Sequence, residues 1–156
     1  MIQYKALLPG LRYAPVIHRK QSMTISSFDD LLRSAREQGE PQRLLFVFTS
    51  AGIPDDATPD QHARFQAGQG GTLTPLMCVD KTPDELASFD ALVDESRQFG
   101  LAWDIVFVAA MAGGQGRSPT SAEADAPMQR MVESIKSGSV SGFIPFDATG
   151  QPVRFG

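Results

Sequence analysis

The chain has 156 residues, of which 42% are hydrophobic, and this is enough for one domain with a real core. The formal net charge of −4 argues against a nucleic-acid-binding protein, which usually has a basic face. Because Cys78 is the only cysteine, an intramolecular disulfide is excluded. The only histidines are His18 and His62, so a metal site based on cysteine or histidine is improbable. A lone cysteine fits a reducing compartment, and no apolar run approaches the roughly 20 residues that span a bilayer. We therefore expect a cytoplasmic protein that does not insert into a membrane.

The first 22 residues differ in charge from the rest of the chain. Met1–Ser22 contains Lys5, Arg12, Arg19 and Lys20 and no acidic residue. Because the whole chain carries −4, the remainder carries −8. Prolines weaken an amphipathic helix here, and no continuous apolar stretch typical of a signal peptide is present. We expect a disordered basic extension followed by a single domain over residues 23–156. The alternative is a short arm that docks on the acidic body or on a partner.

The first elements of the body are predicted from hydrophobic periodicity. A helix begins at Ser27, because four apolar residues follow at the spacing of one helical face. They are Phe28, Leu31, Leu32 and Ala35. The apolar run Arg43–Ser50 predicts the first strand. Thr58 can then cap a short helix that starts at Pro59 and ends near Gly68.

A second strand and a longer helix are predicted next. Gln69–Thr74 is a glycine-rich loop, and Pro75–Asp80 predicts a short strand. Thr82 repeats the capping device of Thr58, and a helix is predicted over Pro83–Gln98. Its inward residues are Leu86, Phe89 and Val93.

The stretch Trp103–Gly116 reads WDIVFVAAMAGGQG and joins a buried strand, Ile105–Ala110, to a glycine-rich loop. The last helix is predicted to have Pro127 in its first turn and Asp125 as a nearby cap. Its inward residues are Met128, Met131, Val132 and Ile135. Glycine after a buried strand permits a sharp turn or a close approach to a ligand, so this loop is the first candidate for a site.

The order of these elements predicts an α/β layered domain. Phe143–Phe146 and Pro152–Phe155 predict a C-terminal hairpin, whose prolines suit a sheet edge. Alternating helices and strands, and the unbroken apolarity of Ile105–Ala110, favour a mostly parallel sheet flanked by helices. The hairpin would form an antiparallel edge of that sheet. Such an edge could pair with a second copy of the chain and give a homo-oligomer.

Ligands in open α/β sheets tend to bind beyond the carboxyl ends of the strands. That rule selects three loops: Thr49–Asp56, Asp80–Thr82 and Ala112–Thr120. The candidate ligand-binding residues are Asp80, Gly113, Gly114, Gly116, Arg117, Ser118 and Thr120. Backbone N–H groups and the Arg117 guanidinium could hold an anion or phosphate near the start of the last helix. The alternative is a flexible surface loop, since GGQGRSPTS matches neither GxGxxG nor a P-loop.

Other chemistry has weaker support in the sequence. Asp55 and Asp56 could join Asp80 around a divalent cation, but adjacent acids in a loop also fit a solvated turn. Cys78 fits a buried structural cysteine, and as a nucleophile it would need a base such as His62. Neither GxSxG nor HExxH is present. We therefore predict no catalytic residue, no metal site and no cofactor.

Six stretches of the body carry a family resemblance: SFDDLLRSAREQ, EPQRLLFVF, PDDATPDQ, GGTLTPLMCVDK, WDIVFVAA and GQPVRFG. The resemblance that they carry extends over nearly all of residues 23–156 and none of Met1–Ser22. The body resembles a family of small proteobacterial proteins that often carry the label "ribonucleotide reductase subunit alpha". A reductase large subunit needs a radical-bearing cysteine and a redox-active cysteine pair, whereas this chain has only Cys78. The resemblance therefore implies at most an accessory role near nucleotide metabolism.

Two functions follow as hypotheses. The first is a non-catalytic domain that binds a small molecule or a protein partner through the glycine loop and the neighbouring acidic turn. The second is a nucleotide- or phosphate-handling protein, in which Gly113–Thr120 holds phosphate and Asp80 lies near a cation. The second hypothesis requires Arg117 and Asp80 to lie on the same side of the sheet.

Overall fold

A computed structural model describes residues 27–53, 56–66 and 71–154. The predictions for residues 1–22, for Asp55, for Phe155 and for a helix end near Gly68 lie outside these residues. Four helices, four strands and one 3-10 turn are present in the described part. They are α1 (Phe28–Arg36), β1 (Gln42–Gly52), α2 (Pro59–Gln66), β2 (Thr72–Lys81), the 3-10 turn (Pro83–Glu85), α3 (Phe89–Arg97), β3 (Ile105–Ala112), α4 (Ser121–Lys136) and β4 (Ile144–Asp147). None of the helices in the described ranges combines the length and apolarity needed to cross a membrane.

The four strands form one sheet in the order β2-β1-β3-β4, and every neighbouring pair is antiparallel. The prediction of an α/β domain with a mostly parallel sheet is therefore wrong, and the fold is α+β. Unbroken apolar runs report burial on both faces of a strand and carry no information about strand direction. Here α1 and α3 cover one face, while α4 covers the other. The same runs that favour a parallel sheet thus occur in an antiparallel one.

Two apolar layers hold the helices on the sheet. On the first face, Phe28 of α1 is the central side chain. Its ring centroid lies 4.8 Å from that of Phe89, 5.5 Å from Phe146 and 6.0 Å from Phe46. Burying one such side chain stabilises the fold by about 1.5–3 kcal/mol. All four residues predicted inward on α1 are buried, as are all three predicted inward between Pro83 and Gln98.

The second apolar layer lies beneath α4. The four residues predicted inward on this helix, Met128, Met131, Val132 and Ile135, are buried. They share a cluster with β-strand residues that include Leu45, Val47 and Phe107. The helical periodicity of the sequence therefore identified the correct face of α4.

The predicted helix over Pro83–Gln98 is two elements. Thr82 and Glu85 form the predicted cap, in which the Thr82 N–H donates to Glu85 Oε1 at 2.8 Å, but only a 3-10 turn follows. Leu86 then adopts an extended backbone (φ −105°, ψ 113°) and is buried. The α-helix begins after Ser88, whose Oγ accepts the Ala91 N–H at 3.1 Å.

The last helix begins earlier than predicted. Thr120 is the N-cap: its Oγ accepts the Glu123 N–H at 3.1 Å, and the Thr120 N–H donates to Glu123 Oε1 at 2.8 Å. Asp125 is therefore not the cap, and Pro127 lies inside the helix rather than in its first turn. The start of α4 was thus missed in favour of Pro127, although a reciprocal Thr120-x-x-Glu123 box was present in the sequence.

The C-terminal hairpin is present but short. Residues after β4 turn back, and Phe146 forms an isolated bridge with Pro152. The Asp147 N–H donates to the Gln151 carbonyl at 2.9 Å, and the Val153 N–H donates to the Pro145 carbonyl at 3.0 Å. These bonds occupy part of the outer edge of β4. Pairing of this edge with a second copy of the chain stays a prediction.

The chain contains two similar units, each built as helix, strand, helix, strand. Helices α1 and α3 have equal lengths, and Ser27-Phe28-Asp29 recurs 61 positions later as Ser88-Phe89-Asp90. Both serines cap their helices with the side-chain oxygen. The strand that follows each of these helices lies at the centre of the sheet, and the last strand of each unit lies outside it. The first helices and central strands of the two units are thus related by approximate two-fold symmetry, with Phe28 against Phe89 near its centre, whereas α2 and α4 differ in length and burial.

Candidate functional site

Two of the three predicted loops meet at one end of the sheet. Ala112 at the end of β3 pairs with Gln42, and Lys81 at the end of β2 pairs with Leu44. The segments Asp80–Thr82 and Ala112–Thr120 therefore lie beside the beginning of β1. These two loops therefore lie at the same end of the sheet.

The third loop lies elsewhere. Because β1 is antiparallel to both of its neighbours, the end of β1 is at the opposite end of the sheet, where Gly52 pairs with Thr72. The described residues of Thr49–Asp56 therefore lie apart from Asp80, which does not support the cation-binding alternative for Asp56. Asp56 is exposed at that far end. The carboxyl-end rule failed here because it applies to parallel strands, whose carboxyl ends all lie at one edge.

Asp80 is held in a buried network beneath the start of α4. Arg43 Nη1 donates to Asp80 Oδ2 at 2.7 Å, and Ser121 Oγ donates to Asp80 Oδ1 at 3.0 Å. Arg43 Nε also donates to the Pro119 carbonyl at 2.5 Å. The Arg43 and Asp80 side chains are only 14% and 7% exposed. Asp80 thus joins β1, β2 and the N-terminus of α4, and both of its oxygens accept bonds from the protein.

The glycines of the loop after β3 have structural explanations. The Gly113 N–H donates to the Pro41 carbonyl at 2.8 Å, and a Cβ on Gly113 would lie 1.8 Å from the Arg117 carbonyl oxygen. Gly114 and Arg117 exchange two backbone hydrogen bonds of 3.1 Å. Gln115 and Gly116 between them have φ values of +55° and +74°. Positive φ at both central positions is typical of a tight hairpin turn, for which glycine is favoured.

A carboxylate of the protein itself occupies the anion-binding position at the start of α4. Glu123 Oε1 accepts bonds from the Thr120 N–H at 2.8 Å and from Arg117 Nη1 at 3.1 Å. The backbone bond from Thr120 is the largest cause that lowers the pKa of Glu123 to about 2, and Arg117 lowers it further. The Arg117 side chain is 64% exposed. Its guanidinium and the Thr120 N–H, which were predicted to bind phosphate, are therefore already engaged by Glu123.

A groove of about 350 Å³ lies at the same end of the sheet, on the face that α1 covers. Its walls come from the end of α1, the segment that leads into β1, the 3-10 turn and the loop before α4. The lining residues are Ala35, Arg36, Gln38, Gly39, Glu40, Pro41, Gln42, Thr82, Pro83, Asp84 and Ser118. Of the predicted binding residues, only Ser118 lines it. Arg36 joins two walls, since its Nη2 donates to the carbonyls of Pro83 at 3.2 Å and Leu86 at 3.0 Å.

Gln42 is the unusual residue of this groove. It is 4% exposed, and its Nε2 donates to the Glu40 carbonyl at 2.9 Å. Its Oε1 is buried and has no hydrogen-bond partner among the described residues. Buried acceptors without partners are uncommon in native proteins and call for an explanation. The sequence held one signal for it: Gln42, Leu44 and Phe46 alternate along β1, so a polar residue continues a buried row.

The described residues do not assemble a metal or nucleophile site. In residues 27–53, 56–66 and 71–154, no group of three or more histidine, cysteine, aspartate or glutamate side chains could hold a metal ion. Cys78 is buried on β2 in the apolar layer beneath α4, as expected for a structural cysteine. His62 is exposed on α2.

Comparison with known proteins adds no further assignment. No protein-family model, no curated protein and no solved structure matches this chain. The resemblance to the small proteobacterial family labelled as a reductase subunit therefore stays a prediction. Any functional assignment has to be argued from the groove and the α4 N-terminus.

Proposed function

We propose that this chain is a non-catalytic binding domain, and that its ligand site is the groove between α1, β1 and the 3-10 turn. The observation that carries this proposal is the buried Oε1 of Gln42, which lies beside a groove and has no hydrogen-bond partner in the part of the chain that the structure describes. An unsatisfied buried acceptor costs about 1–3 kcal/mol. A ligand that donates one hydrogen bond there would offset that cost. The volume of about 350 Å³ is at the small end of the range for ligand pockets.

The charges around the groove indicate which ligands it favours. Glu40 and Asp84 are exposed carboxylates in its lining, while the Arg36 guanidinium already donates to two backbone carbonyls. The lining therefore has one more negative than positive side chain. A ligand that carries hydrogen-bond donors suits this groove better than an anion does.

The proposal can be tested with a variant that fills the groove. A Cβ on Gly39 meets no atom within 4 Å, and the backbone there is not in the left-handed region, so Gly39→Trp adds a large side chain without backbone strain. Gly52 has the same freedom at the opposite end of the sheet, and Gly52→Trp is the matched control. Thermal unfolding is measured with a panel of nucleosides, amines, amino acids and carboxylic acids.

A ligand at 100 times its dissociation constant stabilises the folded state by about 2.7 kcal/mol. For a domain of this size, that raises the unfolding midpoint by roughly 5–10 °C. We expect such a shift in the wild type and in Gly52→Trp, and its loss in Gly39→Trp. A panel without any shift, or a shift that Gly39→Trp retains, would contradict the proposed site.

A second candidate is the nucleotide- or phosphate-handling protein that the family resemblance suggests, in an accessory role near nucleotide metabolism. One observation favours it: Asp80 and Arg117 both lie beside the start of α4, where Ser121 contacts the first and Glu123 the second. Phosphate would have to displace Glu123 from Arg117. Nucleoside diphosphates, with and without magnesium, should then raise the unfolding midpoint of the wild type but not of Arg117→Ala.

A further inference from the structure

The two units of the fold have different residues at one pair of equivalent positions, near the start of the central strand of each unit. Gln42 follows the last residue of α1, Arg36, by six positions, and Trp103 follows the last residue of α3, Arg97, by the same six. The space between the end of the first helix and the start of the central strand, here called the seam, can therefore be compared between the two units. In the second unit it lies beside Trp103, and in the first unit it lies beside Gln42.

In the second unit, an indole ring fills the seam. Trp103 is 8% exposed, and its Nε1–H donates to Ser96 Oγ at 2.8 Å. Its ring packs edge-on against Phe48, with the centroids 5.0 Å apart. Ser96 in turn donates to the Val93 carbonyl at 2.7 Å. This seam is therefore closed by a flat ring whose N–H meets a buried hydroxyl oxygen.

In the first unit, the same seam contains the groove. Ala35 stands at the position of Ser96 and supplies no hydroxyl, and both Ala35 and Gln42 line the groove. The acceptor at this seam is Gln42 Oε1, which has no partner among the described residues. The first unit thus has a groove and a buried acceptor where the second unit has a ring, and its acceptor lies on the residue equivalent to Trp103 rather than on the helix.

From this difference we infer that the groove binds a flat heterocycle with an N–H donor, such as a nucleobase or an indole, beside Gln42, so that a ring closes the first seam as Trp103 closes the second. This inference rests on the proposed function and adds the chemical class of the ligand. The ring N–H donates to Gln42 Oε1, which the Gln42 amide presents by rotating about its soft terminal torsion and giving up its Nε2 bond to the Glu40 carbonyl. The ring face packs on the end of α1, next to Ala35.

The test uses paired probes that differ by one donor. Indole and 1-methylindole share a ring system, as do benzimidazole and 1-methylbenzimidazole, but the second member of each pair lacks the ring N–H. Dissociation constants come from the amide-proton shifts of Gly39, Ser118 and the Gln42 side chain in nuclear magnetic resonance titrations of the full chain. We expect the methylated probes to bind about five-fold more weakly or worse, the size of one neutral hydrogen bond.

A repeat-swap variant gives the second measurement. Ala35→Ser together with Gln42→Trp reproduces the residue pair of the second unit, so the protein's own indole should close the groove. We expect this variant to fold and to lose binding of every probe. Gly52→Trp, at the far end of the sheet, should bind each probe as the wild type does.

The outcomes separate this inference from the proposed function. Equal affinity for methylated and unmethylated probes, with binding lost in the swap variant, overturns the N–H requirement and leaves the groove as a binding site. Groove binding confined to panel compounds that contain no ring overturns the heterocycle class in the same way. Probe binding that survives in both the swap variant and Gly39→Trp overturns the site itself, and with it the proposed function.

Discussion

Asp80 provides the sharpest test of how this end of the molecule is held together. Asp80→Ala removes the acceptor of Arg43 at 2.7 Å and of Ser121 at 3.0 Å, and it leaves the Arg43 guanidinium in a mostly buried position. Removing one partner of a buried ion pair costs about 3–5 kcal/mol. Arg43 keeps its bond to the Pro119 carbonyl and has Glu85 Oε1 at 3.8 Å. We therefore expect about 3 kcal/mol, the lower end of that range.

The assay is urea unfolding at pH 7 and 25 °C, followed by the fluorescence of Trp103. Glu133→Ala is the matched control, since Glu133 pairs with Lys136 at 3.7 Å and both side chains are about half exposed. Such a pair contributes about 0–1 kcal/mol. If Asp80→Ala lowers the free energy of unfolding no more than Glu133→Ala does, the buried network does not stabilise the fold. Replacing both Arg43 and Asp80 by leucine should recover part of the loss, because no charge is then left unpaired.

Three further predictions concern single residues. The pKa of Glu123 is about 2 in the folded state against 4.5 in the unfolded chain. Its contribution to the free energy of unfolding is therefore present above pH 4.5 and is lost as the pH falls toward 2. In urea titrations, Glu123→Gln should lose less stability than the wild type between pH 5 and pH 2.5. Gly113→Ala should lower the thermal midpoint by several degrees, since its Cβ would overlap the Arg117 carbonyl, whereas an unchanged midpoint would contradict the close approach. Ser96→Ala should cost about 1–3 kcal/mol in urea unfolding, because the buried Trp103 N–H loses its acceptor; a cost below about 0.5 kcal/mol would show that the indole finds another partner.

The helix faces could be predicted from the sequence, but the direction of the strands could not. The spacing of Phe28, Leu31 and Leu32 depends only on the local helical period, and all three are buried as predicted. The run Ile105–Ala110 is buried on both faces, which the sequence also indicates. Whether β3 lies parallel or antiparallel to β1 depends on which strands pair, and that information is spread over the whole chain.

The candidate site was harder to predict than the helices for the same reason. Ser118 was found because its loop follows β3, and this loop does meet the end of β2, where Asp80 lies, at one end of the sheet. Gln42 was missed because it precedes the strongest apolar run and belongs to no motif. Its significance depends on burial and on a missing partner, and both are properties of the assembled fold. The glycines attracted attention as a phosphate loop, yet the tight turn and the contact of Gly113 explain them.

The comparison between the two units connects the fold to the proposed function. Both units keep the capping serine, and both keep the phenylalanine at the helix start, where Phe28 meets Phe89. The contact between Phe28 and Phe89 limits which residues both units can have at this position, because a substitution in one unit alters the packing of the other. The seam at the far end of each helix is not shared in this way, so its residues can differ between the two units. One unit closes its seam with Trp103, whereas the other has Gln42 at the equivalent position and a groove beside it. A ligand in that groove would stabilise the first unit as the indole stabilises the second. The difference between Gln42 and Trp103 at equivalent positions is therefore the strongest structural reason to look for the ligand beside Gln42 rather than in the glycine loop.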